Sequence, residues 1–312
     1  MVKSTFNPLN DIPDLTGKVF FITGGTAGLG AGTVKNIAAH NPSHIYFSGR
    51  STNKANSLIT EIRRTYPDVD VTFIECDLTS LDSVQMAAKE FLMSSPRLDV
   101  LMCNAGIMAV DADTSKDGYE IQFQVNHLAH ALLIKLLAPL MLQTAGDVKN
   151  DVRIINLSST AYQQAPNNGI DFETLKSSQP YLGNFIIPGH KWARYAQSKL
   201  ANLLYPQALA KRYPEILSVA VHPGIIMTDL FNNIPFTTRL PALLANLGSI
   251  IPVEEGPYNQ LWAATCPRSN LQSGEYYESI GIVGKRTTRQ SKDMSLAENL
   301  WDWTEKSLEP FS

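Results

Sequence analysis

The chain has 312 residues, 44% of them hydrophobic and 18% charged, with a net charge of −3 and a pI near 6. That is ordinary globular composition, long enough to bury a core that excludes water from a pocket, and it offers no electrostatic case for nucleic acid or an anionic membrane. Cys76, Cys103 and Cys266 are odd in number, far apart and in no CxxC pair, which argues against a disulfide framework or zinc site and for a reducing compartment.

Short β-rich runs alternate with helical patterns, as in parallel sheets with crossover helices. Met1 to Lys18 lacks the apolar core of a signal peptide. Lys18–Thr23 then reads as a buried first strand. A Gly-rich turn follows, and Val34, Ile37 and Ala38 mark a helix face that stops at Asn41-Pro42. The expected series continues with a strand at His44–Ser48, a helix near Asn53–Thr65, a strand at Val71–Cys76 and a helix near Leu81–Met93. Next come a strand at Leu98–Cys103, a long helix from about Tyr119 to Leu142 and a strand at Val152–Leu157. A second long helix, about Trp192–Arg212, precedes strands at Leu217–Val221 and Glu275–Tyr277. The longest apolar run, Leu128–Leu142, carries His130 and Lys135 and is too short to span a bilayer, so a soluble cytoplasmic protein with no membrane partner is expected. Two stretches break the rhythm, 165–191 and 225–252; long irregular segments in compact domains are usually functional loops. With no repeat or linker, the reading is one α/β domain over 1–312, a Rossmann-type doubly wound parallel sheet.

The first strand runs through Thr23-Gly-Gly-Thr-Ala-Gly-Leu-Gly30 directly into a helix. Small residues let backbone approach a pyrophosphate, and the helix N-terminus offers N–H groups and a positive dipole end. Nicotinamide choice is read about 20 residues further on, where NAD enzymes place an acid against the ribose 2′-hydroxyl. Here Arg50 follows the second strand, Lys54 lies one turn along, and no Asp or Glu occurs from Ala31 to Thr60. A guanidinium binds a 2′-phosphate that an acid would repel, so NADP is the expected cofactor.

Tyr195 and Lys199 stand at i,i+4 on one face of the second long helix. A phenol titrates near pH 10, too high for proton exchange at neutrality, and a neighbouring ammonium favours the phenolate. YxxxK alone is a weak motif, but Asn156-Leu-Ser-Ser159, Cys103-Asn-Ala-Gly106 and Val221-His-Pro-Gly224 each end a strand, at the edge where open α/β sheets bind ligands. Asn126 lies on the long helix before the fifth strand.

Together these motifs resemble the short-chain dehydrogenase/reductase family, in the family's order, from Gly17 to about Tyr277. The segment Trp192–Asn202 resembles its fungal branch, akin to retinol dehydrogenase-like and WW-domain oxidoreductase-like enzymes. The resemblance implies that Tyr195 is general acid in reduction and base in oxidation. Lys199 would hold the nicotinamide ribose and depress the tyrosine pKa, Ser159 would hydrogen-bond the substrate oxygen, and Asn126 would fix a water that relays protons through Lys199. It places the dinucleotide against Gly24, Thr26, Gly28, Leu29 and Gly30, then Arg50 and Lys54, then Asp77 at the adenine amine and Leu78. Asn104, Ala105 and Gly106 complete that wall with Tyr195, Lys199, Pro223, Gly224, Ile226 and Thr228. Ala27 stands where many NADP-preferring relatives carry a basic residue, which leaves Arg50 most of the preference.

His127 and His130, the pair Glu254-Glu255 and the tryptophans 301 and 303 read as packing or helix capping, and no metal is expected. The activity implied is reversible hydride transfer between NADP(H) and a carbonyl/alcohol pair, in the direction of ketone or aldehyde reduction. The alternative is a non-catalytic cofactor-sensing regulator on the same fold, against which the intact Asn126, Ser159, Tyr195 and Lys199 set argues. Tyr181, Phe185, Ile186, Ile187 and Trp192 in or beside the insertion at 165–191 suggest a lid for an apolar or aromatic substrate, as do Phe231, Phe236, Leu240, Leu243, Leu244 and Leu247 at 225–252. Most relatives dimerise through the two long helices, where this chain carries Leu128, Leu132, Leu136, Leu203 and Leu204. The insertion is expected to block that pairing and leave a monomer or a non-standard dimer.

Overall fold

The computed structural model describes residues 6–146, 151–183, 189–226, 250–278 and 280–311. Six strands fall where continuous apolar runs predict them: β1 (Val19–Thr23), β2 (His44–Gly49), β3 (Val71–Glu75), β4 (Val100–Cys103), β5 (Arg153–Leu157) and β6 (Leu217–Val221). They are joined by β9 (Tyr276–Glu278) and the antiparallel edge strand β10 (Ile282–Val283) in one sheet of order β3-β2-β1-β4-β5-β6-β9-β10. The pairings from β3 to β9 are parallel, and β7 (Ile225–Ile226) and β8 (Ile250–Ile251) form a separate parallel pair. Parallel strands covered on both faces need apolar side chains on both, and β1, β4, β5 and β6 are buried along their whole length.

The sheet separates two cores. On one face Phe20, Ile22, Met102 and Ile155 pack against α2 (Gly28–Ala38), α3 (Thr52–Thr65) and α8 (Tyr258–Thr265). On the other, Phe21, Leu101 and Ile154 pack against α4 (Leu81–Ser94), α6 (Ala129–Ala145), α7 (Gly189–Arg212) and α9 (Met294–Leu308). The chain reverses direction across the sheet at β1, which pairs with β2 on one side and β4 on the other; ligand crevices open at such switch points.

Several expectations need correction. The long helix starts as α5 (Ile121–Phe123), passes through a π-helical turn at Gln124–Leu128 and runs on as α6 to Ala145. This makes Ile121–Ala145 long and apolar enough to cross a membrane by length and composition, yet it is largely buried as a core helix. Glu254 and Glu255 sit on a separate 3-10 turn ahead of α8 rather than in its first turn. Leu128, Leu132, Leu203 and Leu204 are not a bare face: all four are wholly buried within the chain.

The helix α9 does much of that covering. Its Trp301 stacks on Tyr205 at 5.4 Å, its Thr304 meets His127 at 3.1 Å, and its Glu305 and Glu298 pair with Lys135 and Arg212 at 2.9 and 2.7 Å. Trp303 packs edge-on against Tyr119 and Phe123, so both tryptophans are packing residues as expected.

Candidate active site

The turn from β1 to α2 is shaped by what cannot fit in it. Gly24 and Gly28 hold φ of +68° and +51°, and a Cβ on Gly30 would lie 2.2 Å from Gly24 O. Sequence reasoning passed over Gly25, where a Cβ would come within 2.6 Å of Phe47 Cβ, a contact that only the fold creates. Ala27 at the N-cap of α2 makes no side-chain cap, so the helix's first N–H groups face outward without a capping oxygen. A backbone cradle and an uncapped helix end suit a pyrophosphate, and the residues fit a dinucleotide.

The ends of β1 and β4 are laced together beside this turn. Thr23 Oγ1 accepts from the N–H groups of Asn104 and Ala105 at 3.0 Å each, while Asn104 Nδ2 donates to Thr23 O at 2.8 Å. Gln260 of α8 donates to Asn104 Oδ1 at 3.1 Å, and His130 Nε2 meets Thr23 Oγ1 at 2.8 Å. His130 is therefore a supporting residue, and neither it nor Gln260 carries a sequence signal for that role. Arg50 and Lys54 are exposed at the end of β2 and the start of α3. Asp77 accepts from Thr79 at 2.8 and 3.0 Å and pairs with Lys116 at 2.9 Å, a partner no motif announces. Leu78 beside it is buried.

Tyr195 and Lys199 come together as their spacing predicts. The Lys199 ammonium lies 5.6 Å from the Tyr195 ring centroid and donates to Leu157 O at 3.0 Å. Ser159, at the mouth of β5, stands beside the Tyr195 phenol and favours its phenolate, whereas Ser158 is buried and donates to Lys199 O at 2.7 Å. The neighbouring serine is thus structural. Burial pushes the Tyr195 phenol up to about 12, against the lowering influence of Ser159. Burial also brings Lys199 down to about 8. The expected depression of the tyrosine by Lys199 is overridden in the protein alone, because a fully enclosed phenolate loses more solvation than its surroundings return.

Asn126 sits in the π turn, a distortion that often marks functional positions. Its side chain clasps Ile107, accepting from N at 2.8 Å and donating to O at 2.9 Å, and reaches Ser198 Oγ at 2.9 Å. Its main-chain oxygen accepts from Asn202 Nδ2 at 2.9 Å and meets His130 Nδ1 at 3.0 Å. Asn202 also donates to Leu157 O at 3.0 Å, the acceptor it shares with Lys199, so Asn202 links Asn126 to the lysine. A Cβ on Gly106 would stand 3.0 Å from Asn126 Oδ1 and 3.6 Å from Lys199 Nζ.

Across the cleft, Gly224 holds φ of +97° with Pro223 before it, and Ile226 is buried in β7. Thr228 lies outside the described residues, as do the lid positions Phe185, Ile186, Ile187 and Phe231 to Leu247. Tyr181 is described and is 83% exposed, while Trp192 sets its ring edge-on to Tyr195 at 6.1 Å. His222 is buried near Lys199, and its imidazole is pushed down to about 4 by burial and then by that charge.

A glycine turn at the switch point and an acid–base pair on the same edge place the protein among dinucleotide-dependent oxidoreductases of Rossmann type. Comparison with known proteins narrows the class. The short chain dehydrogenase family model matches residues 18–176. A short-chain dehydrogenase/reductase of Aspergillus calidoustus, drtF, is 36% identical over 310 residues, 95% of each chain. A protein from Mycobacterium paratuberculosis superposes with a TM-score of 0.71 at 27% identity, covering 96% of this chain and 97% of that one. An NADPH-bound carbonyl reductase from chicken fatty liver shares the fold at 23% identity with a TM-score of 0.62, over 86% and 98% of the two chains. The chain belongs to the short-chain dehydrogenase/reductase family and is an NAD(P)-dependent oxidoreductase.

Proposed function

We propose that this protein reduces a ketone or aldehyde with NADPH, on an apolar or aromatic substrate. The observation that carries the reading is the meeting of Tyr195, Lys199 and Ser159 beside the Gly106 wall and the glycine turn. Bound in that turn, NADPH supplies the hydride. Tyr195 keeps its proton at neutral pH and donates it to the carbonyl oxygen, which Ser159 holds by a hydrogen bond. The Lys199 ammonium stabilises the phenolate that remains and would hold the nicotinamide ribose hydroxyls. Asn126 keeps the Gly106–Ile107 backbone beside Lys199.

The preference for NADP rests on Arg50, exposed where a 2′-phosphate would arrive and with no acid near it in sequence. The chain acts as a single domain, and as a monomer or a non-standard dimer, because α9, rather than the insertion expected to do so, lies across the two long helices through which relatives pair. Trp192, edge-on to Tyr195, supports an apolar or aromatic substrate. The test is a panel of ketones, aldehydes and alcohols with NADPH, NADH and their oxidised forms, read at the nicotinamide absorbance. Turnover of apolar carbonyls with NADPH is expected; turnover confined to small charged acids or phosphosugars, or equal use of NADH, contradicts the reading.

A further inference from the structure

Among the described residues, the largest wholly buried side chain belongs to one that no motif assigns, Arg194, next to Tyr195. Burying a guanidinium is costly unless its donors are used. Here Nη1 donates to Gln179 O at 3.1 Å, Nη2 donates to Val110 O at 3.0 Å, and Nε lies 3.4 Å from the carboxylate of Glu120, itself wholly buried. The three partners come from three separate segments. Gln179 belongs to the insertion, Val110 to the loop that leaves β4 past Gly106, and Glu120 caps the helix that carries Asn126, accepting from Phe123 N at 2.6 Å.

Neighbouring bonds repeat the pattern. Gln197, one turn along α7, donates to Gln179 Oε1 and accepts from Asp171 N, both at 2.9 Å. His190 meets Leu182 O at 2.9 Å, Lys191 pairs with Asp111, and Gln122 donates to Lys191 O at 3.1 Å. Gln179 and Ala109 hold φ of +42° and +52°, left-handed values that non-glycine residues keep only where their surroundings over-determine them. One such residue lies in each loop that Arg194 grips.

We propose that Arg194 is a positioning residue for substrate: it clamps the loop 107–111 and the insertion 171–182 against the first turn of α7. These two loops would then form the walls beside the Tyr195 hydroxyl. The proposal rests on the carbonyl-reductase reading above for its kinetic half and stands independently for its structural half. Tyr195 itself is carried by a long, wholly packed helix, so loosening the clamp should move the walls and leave the proton donor in place.

The experiment compares Arg194→Met and the milder Arg194→Lys with the parent chain by amide hydrogen exchange, thermal melting, NADPH binding followed by fluorescence, and steady-state kinetics on the best apolar carbonyl of the panel. Exchange in 107–111 and 171–182 should accelerate about tenfold or more, with the amides of β1, β4 and β5 unchanged. KM for the carbonyl should rise about tenfold, while kcat and NADPH affinity stay within about threefold. Arg194→Lys, whose compact ammonium cannot span carbonyls on two separate loops as the planar guanidinium does, should recover less than half of the loss. Unchanged exchange in the two loops, uniform acceleration across the sheet, or a fall in kcat at constant KM would each overturn the proposal. Should Tyr195→Phe keep its turnover while the exchange pattern appears as stated, the reductase reading fails and the clamp survives.

Discussion

The glycine turn at Thr23–Gly30 and the first turn of α7 both hold backbone beside a reaction centre, and they do it by opposite means. The turn works by omission: removing Cβ atoms at Gly24, Gly25 and Gly30 lets strand, helix and the β4 end approach within contact distance. The start of α7 works by addition, through a buried ion pair, two captured carbonyls and paired glutamine amides. Omission gives a cradle of backbone dipoles that any chain of this class could present to the same dinucleotide. Addition ties together segments far apart in sequence, and its details belong to this chain. The recognition of a common cofactor and the selection of a particular substrate would thus rest on different physics.

The largest expected effect lies where the two regions meet. Tyr195→Phe removes only the proton donor, so turnover should fall by about 10²–10⁴-fold while NADPH binding persists. Near-normal turnover of the variant would detach the chemistry from this edge of the sheet.

On the omission side, Gly30→Ala drives a methyl into Gly24 O and Asn104 Nδ2, at 2.2 and 2.7 Å. It should cost about 1–3 kcal/mol of stability through overpacking and weaken both cofactors alike. A denaturation midpoint equal to the parent's, with unchanged NADPH and NADH affinities, would mean that the turn tolerates bulk.

Arg50→Ala separates the two nicotinamides. Loss of a charge-assisted pair with the 2′-phosphate should weaken NADPH by about 1–3 kcal/mol and leave NADH nearly as it was. Titration calorimetry with both cofactors decides this, and equal losses would remove Arg50 from the site.

The smallest effect is a pH dependence. Lys199 is held down to about 8 by burial, so its ammonium is lost as pH rises through that value, whereas Tyr195, pushed up to about 12, stays protonated throughout. Carbonyl reduction should therefore be level below about pH 7 and decline above about pH 8, by roughly tenfold per pH unit at most. Rates that hold level to pH 10 would show that Lys199 keeps its proton in the working complex.

Much of this was legible along the chain. Apolar runs announced strands β1 to β6 because a strand covered on both faces has no polar side to display. The terminator Asn41-Pro42 was visible too, and Asn41 does hold φ of +55° just past α2. Even α9 left a trace in Leu296, Leu300, Thr304 and Leu308, spaced for one buried face, though its partner could not be read from it. Leu132 shows the limit. Its apolar character was plain, but whether that meant an open dimer face or the chain's own core depended on what lay across it.

By itself the sequence determined the order of strands and helices from β1 to β6, the glycine turn, and the i,i+4 placement of Tyr195 and Lys199. Each follows from local sterics and periodicity acting over a few residues. Only the tertiary structure decided that Arg194 is buried against Glu120, that Lys116 reaches Asp77, that α9 covers the long helices, and that burial raises the Tyr195 phenol. Those outcomes depend on desolvation and on contacts between residues distant along the chain, and neither quantity exists until the sheet has brought its two faces together.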